Sequence, residues 1–236
     1  MIHLELSDVH THYGSSHILF GIELEVTEGH VVCLLGRNGA GKTTTMRTIM
    51  GLAPATKGRI TYNGTNLVGR EPYAIAQLGI GFVPDDRVIF PDLTVRENLE
   101  VAARKGPGAA KFDWTIDKIY DLFPVLRPLD RHLGAYLSGG EQQMLTVGRT
   151  LMGNPLLLLL DEPVEGVAPI VVQELGEKIR ALKAMGLTIL MAEQNLHFAT
   201  QISDFAYVIE KGRIRYQGTM QDLANNDEVK QKYLMI

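Results

Sequence analysis

With one cysteine, Cys33, in 236 residues, the chain can form no internal disulfide, and the thiol reads as a small core side chain in a reducing setting. Basic runs and clusters are also missing. Lys and Arg number 23 against 27 Asp and Glu, a formal net charge of −4, so the composition gives no reason to expect a nucleic-acid partner. Apolar runs are short as well: Leu156 to Leu160 falls far below the roughly twenty apolar residues a bilayer-spanning helix needs. Met1 to Leu6 lacks a basic stretch followed by an apolar segment, so neither a signal peptide nor a membrane anchor is expected, and any membrane association comes through a partner. Internal repeats and low-complexity tracts are absent. What is left, 45% hydrophobic and 21% charged residues, suits a globular protein with a substantial core in one or two lobes.

Against that background, Gly36-Arg37-Asn38-Gly39-Ala40-Gly41-Lys42-Thr43 fits the pattern G-x-x-x-x-G-K-[ST]. It follows the apolar run Val31 to Leu35, read as a strand, and precedes Thr44 to Met50, read as a helix, which is the context the pattern requires. Glycines at 36, 39 and 41 let the backbone fold tightly enough to turn its N–H groups inward on a polyphosphate, and the helix N-terminus adds partial positive charge. The loop residues Gly36, Arg37, Asn38, Gly39, Ala40, Gly41, Lys42, Thr43 and Thr44 are therefore the expected phosphate contacts. Lys42 is placed to reach the β- and γ-phosphates, and the Thr43 hydroxyl to ligate Mg²⁺. An ordinary glycine-rich turn has no need of Lys and Thr at those offsets.

Downstream, the leucine run 156–160 ends in Asp161-Glu162-Pro163 and reads as a strand buried on both faces. An Asp at the carboxyl end of a central parallel strand lies beside the crevice where α/β sheets bind ligands, which makes Asp161 a partner for the cation held by Thr43. Glu162 then faces the γ-phosphate, where a carboxylate can orient a water for in-line attack and accept its proton. Farther back, Leu137-Ser138-Gly139-Gly140-Glu141-Gln142-Gln143 places Ser138 three residues before Glu141, a capping box opening a helix expected over Gln142 to Met152 and stopped at Gly153-Asn154-Pro155. Two glycines at that helix start make a second anion site.

Alternation at Ile2-Leu4-Leu6, Ile22-Leu24-Val26 and Ile60 to Tyr62 predicts a small antiparallel sheet beside the phosphate loop. Pro72 to Gln77 reads as a helix, and Ile80 to Val83 as a short strand ending at Pro84. From Asp85 to Gly153 the pattern is helical: Thr94 and Glu97 form another capping box for a helix to Lys105, Gly106-Pro107-Gly108 is a loop, and Trp114 to Phe123 is a second helix. Helix and strand alternate again from Pro169 to Met191 with Gly186 as a cap, before a hairpin near Lys211-Gly212 and a last helix. The expected fold class is α/β: a P-loop NTPase (RecA-like) core over residues 1–84 and 154–236 with a small antiparallel β part, and a helical subdomain over 85–153. His10 and His12 stand in a His-x-His spacing, but no third ligand with suitable spacing is evident, and a half-exposed strand face is the better reading.

These motifs together resemble the ATP-binding cassette family, specifically the nucleotide-binding subunit of an ABC transporter, over essentially the whole chain. Leu137 to Gln143 decide the likeness. The resemblance implies a head-to-tail dimer in which Ser138, Gly139, Gly140 and Glu141 close on the γ-phosphate of ATP held by the opposite subunit, with ATP and Mg²⁺ as ligands. It implies membrane permease subunits as partners at the cytoplasmic face of the cell membrane, and an external substrate-binding protein reached indirectly. Tyr13 stands where the family places an aromatic that stacks on adenine; a plain surface or core tyrosine is the other reading.

The chain departs from the general family pattern at three places. Asp85 stands where most cassettes carry Gln, and an acid there could still reach Mg²⁺ or the attacking water. Gln194, in Glu193-Gln194-Asn195, aligns with a histidine that senses the γ-phosphate; Gln can donate a hydrogen bond but has no proton to titrate. Val164-Glu165-Gly166 replaces a loop that usually ends in Asp, which puts that Asp's subunit-crossing contact in doubt. With Gly79 to Pro84 and Ile89 to Leu99, these features are similar to the ATPase subfamily of branched-chain amino-acid importers that ends its last central strand in Glu-Gln-Asn. Relatives serving urea or short amides share much of the same writing. A soluble ABC-type ATPase of DNA repair or translation would carry a long coiled-coil insertion, two cassettes or a basic surface; a module that holds ATP without hydrolysing it would lack Glu162 or Lys42. Ile89 and Phe90 either pack within the helical segment or meet a permease loop docked near Asp85 to Leu93.

Overall fold

Two sheets grow from two different sequence periods. Alternation of apolar and polar residues produces the first, in which β1 (Ile2–Tyr13), β2 (Ser16–Thr27), β4 (Ala55–Tyr62) and the short β5 (Thr65–Asn66) run antiparallel in the order β2-β1-β4-β5. Continuous apolar runs produce the second: β3 (Val31–Leu35), β6 (Ile80–Val83), β7 (Leu157–Asp161), β8 (Thr188–Glu193) and β9 (Phe205–Glu210) lie parallel, with β10 (Arg213–Thr219) antiparallel at one edge, in the order β10-β9-β3-β8-β7-β6. The computed structural model describes residues 2–234. Every residue of β3, β7 and β8 is buried, as both faces of a central parallel strand must be.

Those two faces feed two cores. Val32, Leu34, Leu157, Leu159 and Leu190 point to the antiparallel sheet, where they meet Leu4, Leu24 and Ile60, with Met46 and Ile49 of α1 (Lys42–Ile49) filling the wedge. Cys33, Leu158, Leu160, Ile189 and Met191 point the other way and pack with Leu175, Ile179 and Leu182 of α6 (Pro169–Ala184). Each fully buried large side chain contributes on the order of 1.5–3 kcal/mol, so the sheet cannot slip by one residue without exchanging one core for the other. The α/β class with its antiparallel part, expected from the sequence, is the observed one.

Residues 85–153 add no strand to either sheet among the described residues. Their helices α3 (Val95–Glu100), α4 (Ile116–Leu122) and α5 (Gly139–Leu151) share the α6-side core through Leu99, Ile119, Tyr120 and Leu145. A Cβ on Gly148 would stand 2.8 Å from Ile119 Cγ2, so a glycine is what lets α5 come this close to α4. Several expected boundaries move. The helix predicted to reach Lys105 stops at Glu100, because tertiary bonds claim the next backbone groups: Arg104 N donates to Met152 O at 3.2 Å, and Asn154 Nδ2 donates to Arg104 O at 2.9 Å. The expected loop at Gly106-Pro107-Gly108 enters a 3₁₀ turn over Pro107–Ala110. Trp114 stays outside the second helix, its N–H held by Asn154 Oδ1 at 2.8 Å, and Thr115 caps that helix instead. Helix α5 starts at Gly139, three residues before the expected Gln142. The final helix is broken: α8 (Met220–Ala224), a short α9 (Asp227–Val229) and a π-type turn over Lys230–Leu234. Two further short helices, α2 (Pro72–Gln77) and α7 (Leu196–Thr200), complete the set.

Candidate active site

The carboxyl ends of β3, β7 and β8 carry the chemistry. Gly36 leaves β3 beneath Ile209, where a Cβ would lie 2.5 Å from the Ile209 carbonyl oxygen, so only glycine lets the loop turn there. Gly41 follows with a φ of 113°, a left-handed conformation that no β-carbon tolerates cheaply, and α1 begins at the next residue. Lys42 is 3% exposed. Its ammonium donates to Gly36 O at 2.8 Å and Arg37 O at 3.1 Å, and pairs with Glu162 Oε1 at 3.0 Å.

Thr43 Oγ1 donates to Asp161 Oδ1 at 3.2 Å. Asp161 is fully buried, and its other oxygen, Oδ2, has no hydrogen-bond partner. Burial raises its pKa to about 7; the charges of Asp85 and Glu162 push the same way, against the Thr43 hydrogen bond. A buried, under-satisfied carboxylate beside a hydroxyl is an all-oxygen donor pair of the kind that suits a hard divalent cation completing its shell with phosphate and water. No group of three or more His, Cys, Asp or Glu that could hold a metal occurs among the described residues. Asp85 joins the same end of the sheet, 3.9 Å from Arg47 Nη2.

Glu162 takes a φ of 46°, and its N–H donates to Ala192 O at 2.9 Å. A cavity of about 240 Å³ lies beside it, lined by Glu162, Val164, Glu165, Glu193, Gln194 and Asn195. Glu165 N donates to Glu162 O at 3.1 Å, and the neighbouring Glu162 carboxyl raises the Glu165 pKa through direct interaction and its charge. The structure thus brings Lys42, Thr43, Asp161, Glu162, Asp85 and Gln194 to one end of the parallel sheet. Tyr13 stands at the turn between β1 and β2, nearly half exposed.

Ser138 and Glu141 are held by one another: Ser138 N donates to Glu141 Oε2 at 2.7 Å, and Glu141 N donates to Ser138 Oγ at 3.4 Å. Gly139 and Gly140 are closely covered. A Cβ on the first would stand 2.8 Å from Arg87 Nη1, and on the second 2.7 Å from Val171 Cγ2. Sequence reasoning gave Arg87 no role, yet its guanidinium donates to Glu165 O while lying over Gly139. No local spacing announces a contact 78 residues away. The loop before α3 is pinned by the buried Asn98, which accepts from Phe90 N and donates to the carbonyls of Phe90, Leu93 and Thr94. Ile89 packs against the core and Phe90 remains exposed. His17, missed in sequence, joins His10 (3.1 Å between Nδ1 and Nε2) and stacks on His12 at 4.0 Å.

A family model described as ABC transporter matches residues 19–165. Over 98% of its length the chain is 42% identical to the high-affinity branched-chain amino acid transport ATP-binding protein BraG of Pseudomonas aeruginosa, covering 99% of that protein. The chain belongs to the ABC transporter family. This ABC protein is also 35% identical to the probable branched-chain amino acid transport ATP-binding protein LivF of Archaeoglobus fulgidus, covering 92% of each. It is 35% identical to the lipopolysaccharide export system ATP-binding protein LptB of Haemophilus influenzae, over 94% of this chain and 92% of that one. Among solved structures, a nucleotide-free ATP-binding cassette from an ABC transporter superposes with a TM-score of 0.82 at 27% identity, covering 97% of each chain. A cassette in its ADP conformation gives 0.81 at 27% identity over 98% of each. As an ABC cassette the chain binds adenine nucleotide and hydrolyses ATP. No helix among the described residues is long and apolar enough to cross a membrane.

Proposed function

We propose that this ABC protein hydrolyses ATP to drive uptake of branched-chain amino acids through a membrane permease, held at the cytoplasmic face by that permease and supplied indirectly by an external substrate-binding protein. The Lys42–Glu162 contact carries the catalytic part: a buried ammonium and a carboxylate 3.0 Å apart place charge stabilisation and a proton acceptor side by side. Likeness to BraG over the full length supports the substrate class; the lipopolysaccharide-export reading rests on lower identity.

In this reading the loop Gly36 to Thr44 cradles the phosphates, with Arg37, Asn38, Gly39, Ala40 and Gly41 offering backbone groups, while Tyr13 stacks on the adenine. Thr43 and Asp161, with Asp85 behind them, would hold Mg²⁺, which when bound neutralises phosphate charge. Glu162 orients the attacking water and takes its proton. Lys42 spreads the charge that develops on the γ-phosphate oxygens. Gln194 reaches the same phosphate from the β8 side. A second cassette, identical or homologous, contributes its Ser138, Gly139, Gly140 and Glu141 from across a head-to-tail interface. Residues 85–153 act as a helical subdomain, and exposed Phe90 meets the permease loop.

Replacing Glu162 by Gln tests the assignment: turnover falls by at least about 100-fold while ATP still binds. Persistent turnover would assign the proton acceptor elsewhere. The same variant, trapped with ATP and Mg²⁺ and recovered from its own solubilised membranes, brings down a polytopic permease and a second cassette; recovery of soluble partners alone would end the transport reading.

A further inference from the structure

Glu193 is the least expected acid in the molecule. It ends β8 at 3% exposure, where burying a carboxylate is costly, and an apolar side chain would finish the strand without that cost. Its contacts explain the burial. Oε2 accepts the N–H groups of both Gln194 and Asn195, each at 3.1 Å. The Val164 amide, from the loop after β7, also favours its charged form, while Oε1 makes no hydrogen bond. Its backbone oxygen accepts from Gly36 N at 3.2 Å, so the residue that gathers the Gln194 amide is itself hydrogen-bonded to the first residue of the phosphate loop. Asn195 continues the chain of restraints, its Oδ1 accepting from Phe198 N at 3.0 Å to start α7.

We propose that Glu193 is a positioning residue for ATP hydrolysis: its buried carboxylate fixes the backbone of Gln194 and Asn195 against the phosphate loop and so aims the Gln194 side chain across the cavity that Glu162 lines. Nothing in the general family pattern or in the likeness to BraG assigns this task to the acid. The inference rests on the reading that Gln194 acts on the γ-phosphate. Without the carboxylate, two adjacent amides lose their acceptor at once, and the loop is free to swing its side chain away from the nucleotide.

Steady-state ATPase kinetics of the full chain with Mg²⁺-ATP test it, with nucleotide binding measured in parallel. Glu193→Ala lowers kcat about tenfold and leaves the KM for ATP within about twofold, the pattern of an interaction used in the transition state alone. Glu193→Gln restores most of the rate, because its amide oxygen accepts the same two N–H groups. Added to Gln194→Ala, Glu193→Ala brings no further loss, since groups acting through one another are not additive. Should Glu193→Ala fail to fold, Glu193→Asp reads the same quantity: charge is kept, reach is lost, and kcat drops. Wild-type kcat in Glu193→Ala or, where that variant does not fold, in Glu193→Asp, or an equal loss in both backgrounds, overturns the proposal. Wild-type turnover in Gln194→Ala would remove the γ-phosphate reading and this one together; a slow Gln194→Ala beside a fast Glu193 variant would remove only this one.

Discussion

Glycine stands at the start of both α1, whose N-cap is Gly41, and α5, which opens with Gly139 and Gly140, yet their first turns are finished in opposite ways. At α1 the residue before the helix, Gly41, sits in a left-handed conformation with no side-chain cap, and the first turn contains no acid. At α5, Ser138 and Glu141 close a reciprocal box, so the chain itself satisfies two of the amides there. An uncapped helix start leaves its N–H groups and its positive end to a ligand. A capped one is already stable and has less to offer an anion by itself. Under the proposed function this is a division of labour: the α1 end would hold nucleotide from within one chain, and the α5 end would contribute once a second cassette brings phosphate to it.

The largest expected effect lies at the α1 end. Lys42→Ala removes the buried ammonium from Gly36 O, Arg37 O and Glu162, and ATP affinity falls by about tenfold to a hundredfold, the worth of charge-assisted hydrogen bonds; isothermal titration reads it directly. A smaller loss would mean that the phosphate loop holds nucleotide through its backbone alone. At the α5 end, Ser138→Ala leaves ATP affinity of the single chain unchanged while slowing hydrolysis. It also costs about 1 kcal/mol of helix capping, a drop in Tm of about 2–4 °C for a chain of this size. A weakened ATP affinity in this variant would break the contrast between the two helix starts.

The smallest effect is one of pH and belongs to the β8 end beside α1. Burial raises the Glu193 pKa to about 7 from an ordinary value of 4.5. Folded protein therefore keeps a proton that the unfolded chain has lost, and the wild type loses stability as pH rises from 4.5 through 7. Glu193→Gln has no such proton to lose. Its Tm relative to wild type is expected to climb between pH 5 and 8, by a few degrees at most, and a flat difference would mean that Glu193 is charged throughout.

Much of this was legible in the chain. The phosphate loop, Asp161 and Glu162, and the Ser138 box are local patterns whose geometry follows from a few consecutive residues, and strands such as β3 and β7 announce themselves by unbroken burial. What stayed hidden depends on contacts far apart in sequence. Met152 and Asn154 end α3 early from far along the chain by holding the Arg104 backbone. His17 reaches His10 and His12 only through the β1–β2 register. The Glu193 side chain reads as one more strand-end acid until the loop after β7 is folded beside it.

Asn98 has a mechanical consequence. A loop tied at Phe90, Leu93 and Thr94 by a single buried amide behaves as a stiff strut rather than a hinge. Phe90 is its exposed tip; α3 is its base. Leu99, next to Asn98 on α3, packs near Gly148 of α5, the helix that begins with Gly139 and Gly140. A push delivered at the tip would therefore be passed along the strut toward that helix rather than taken up by the loop.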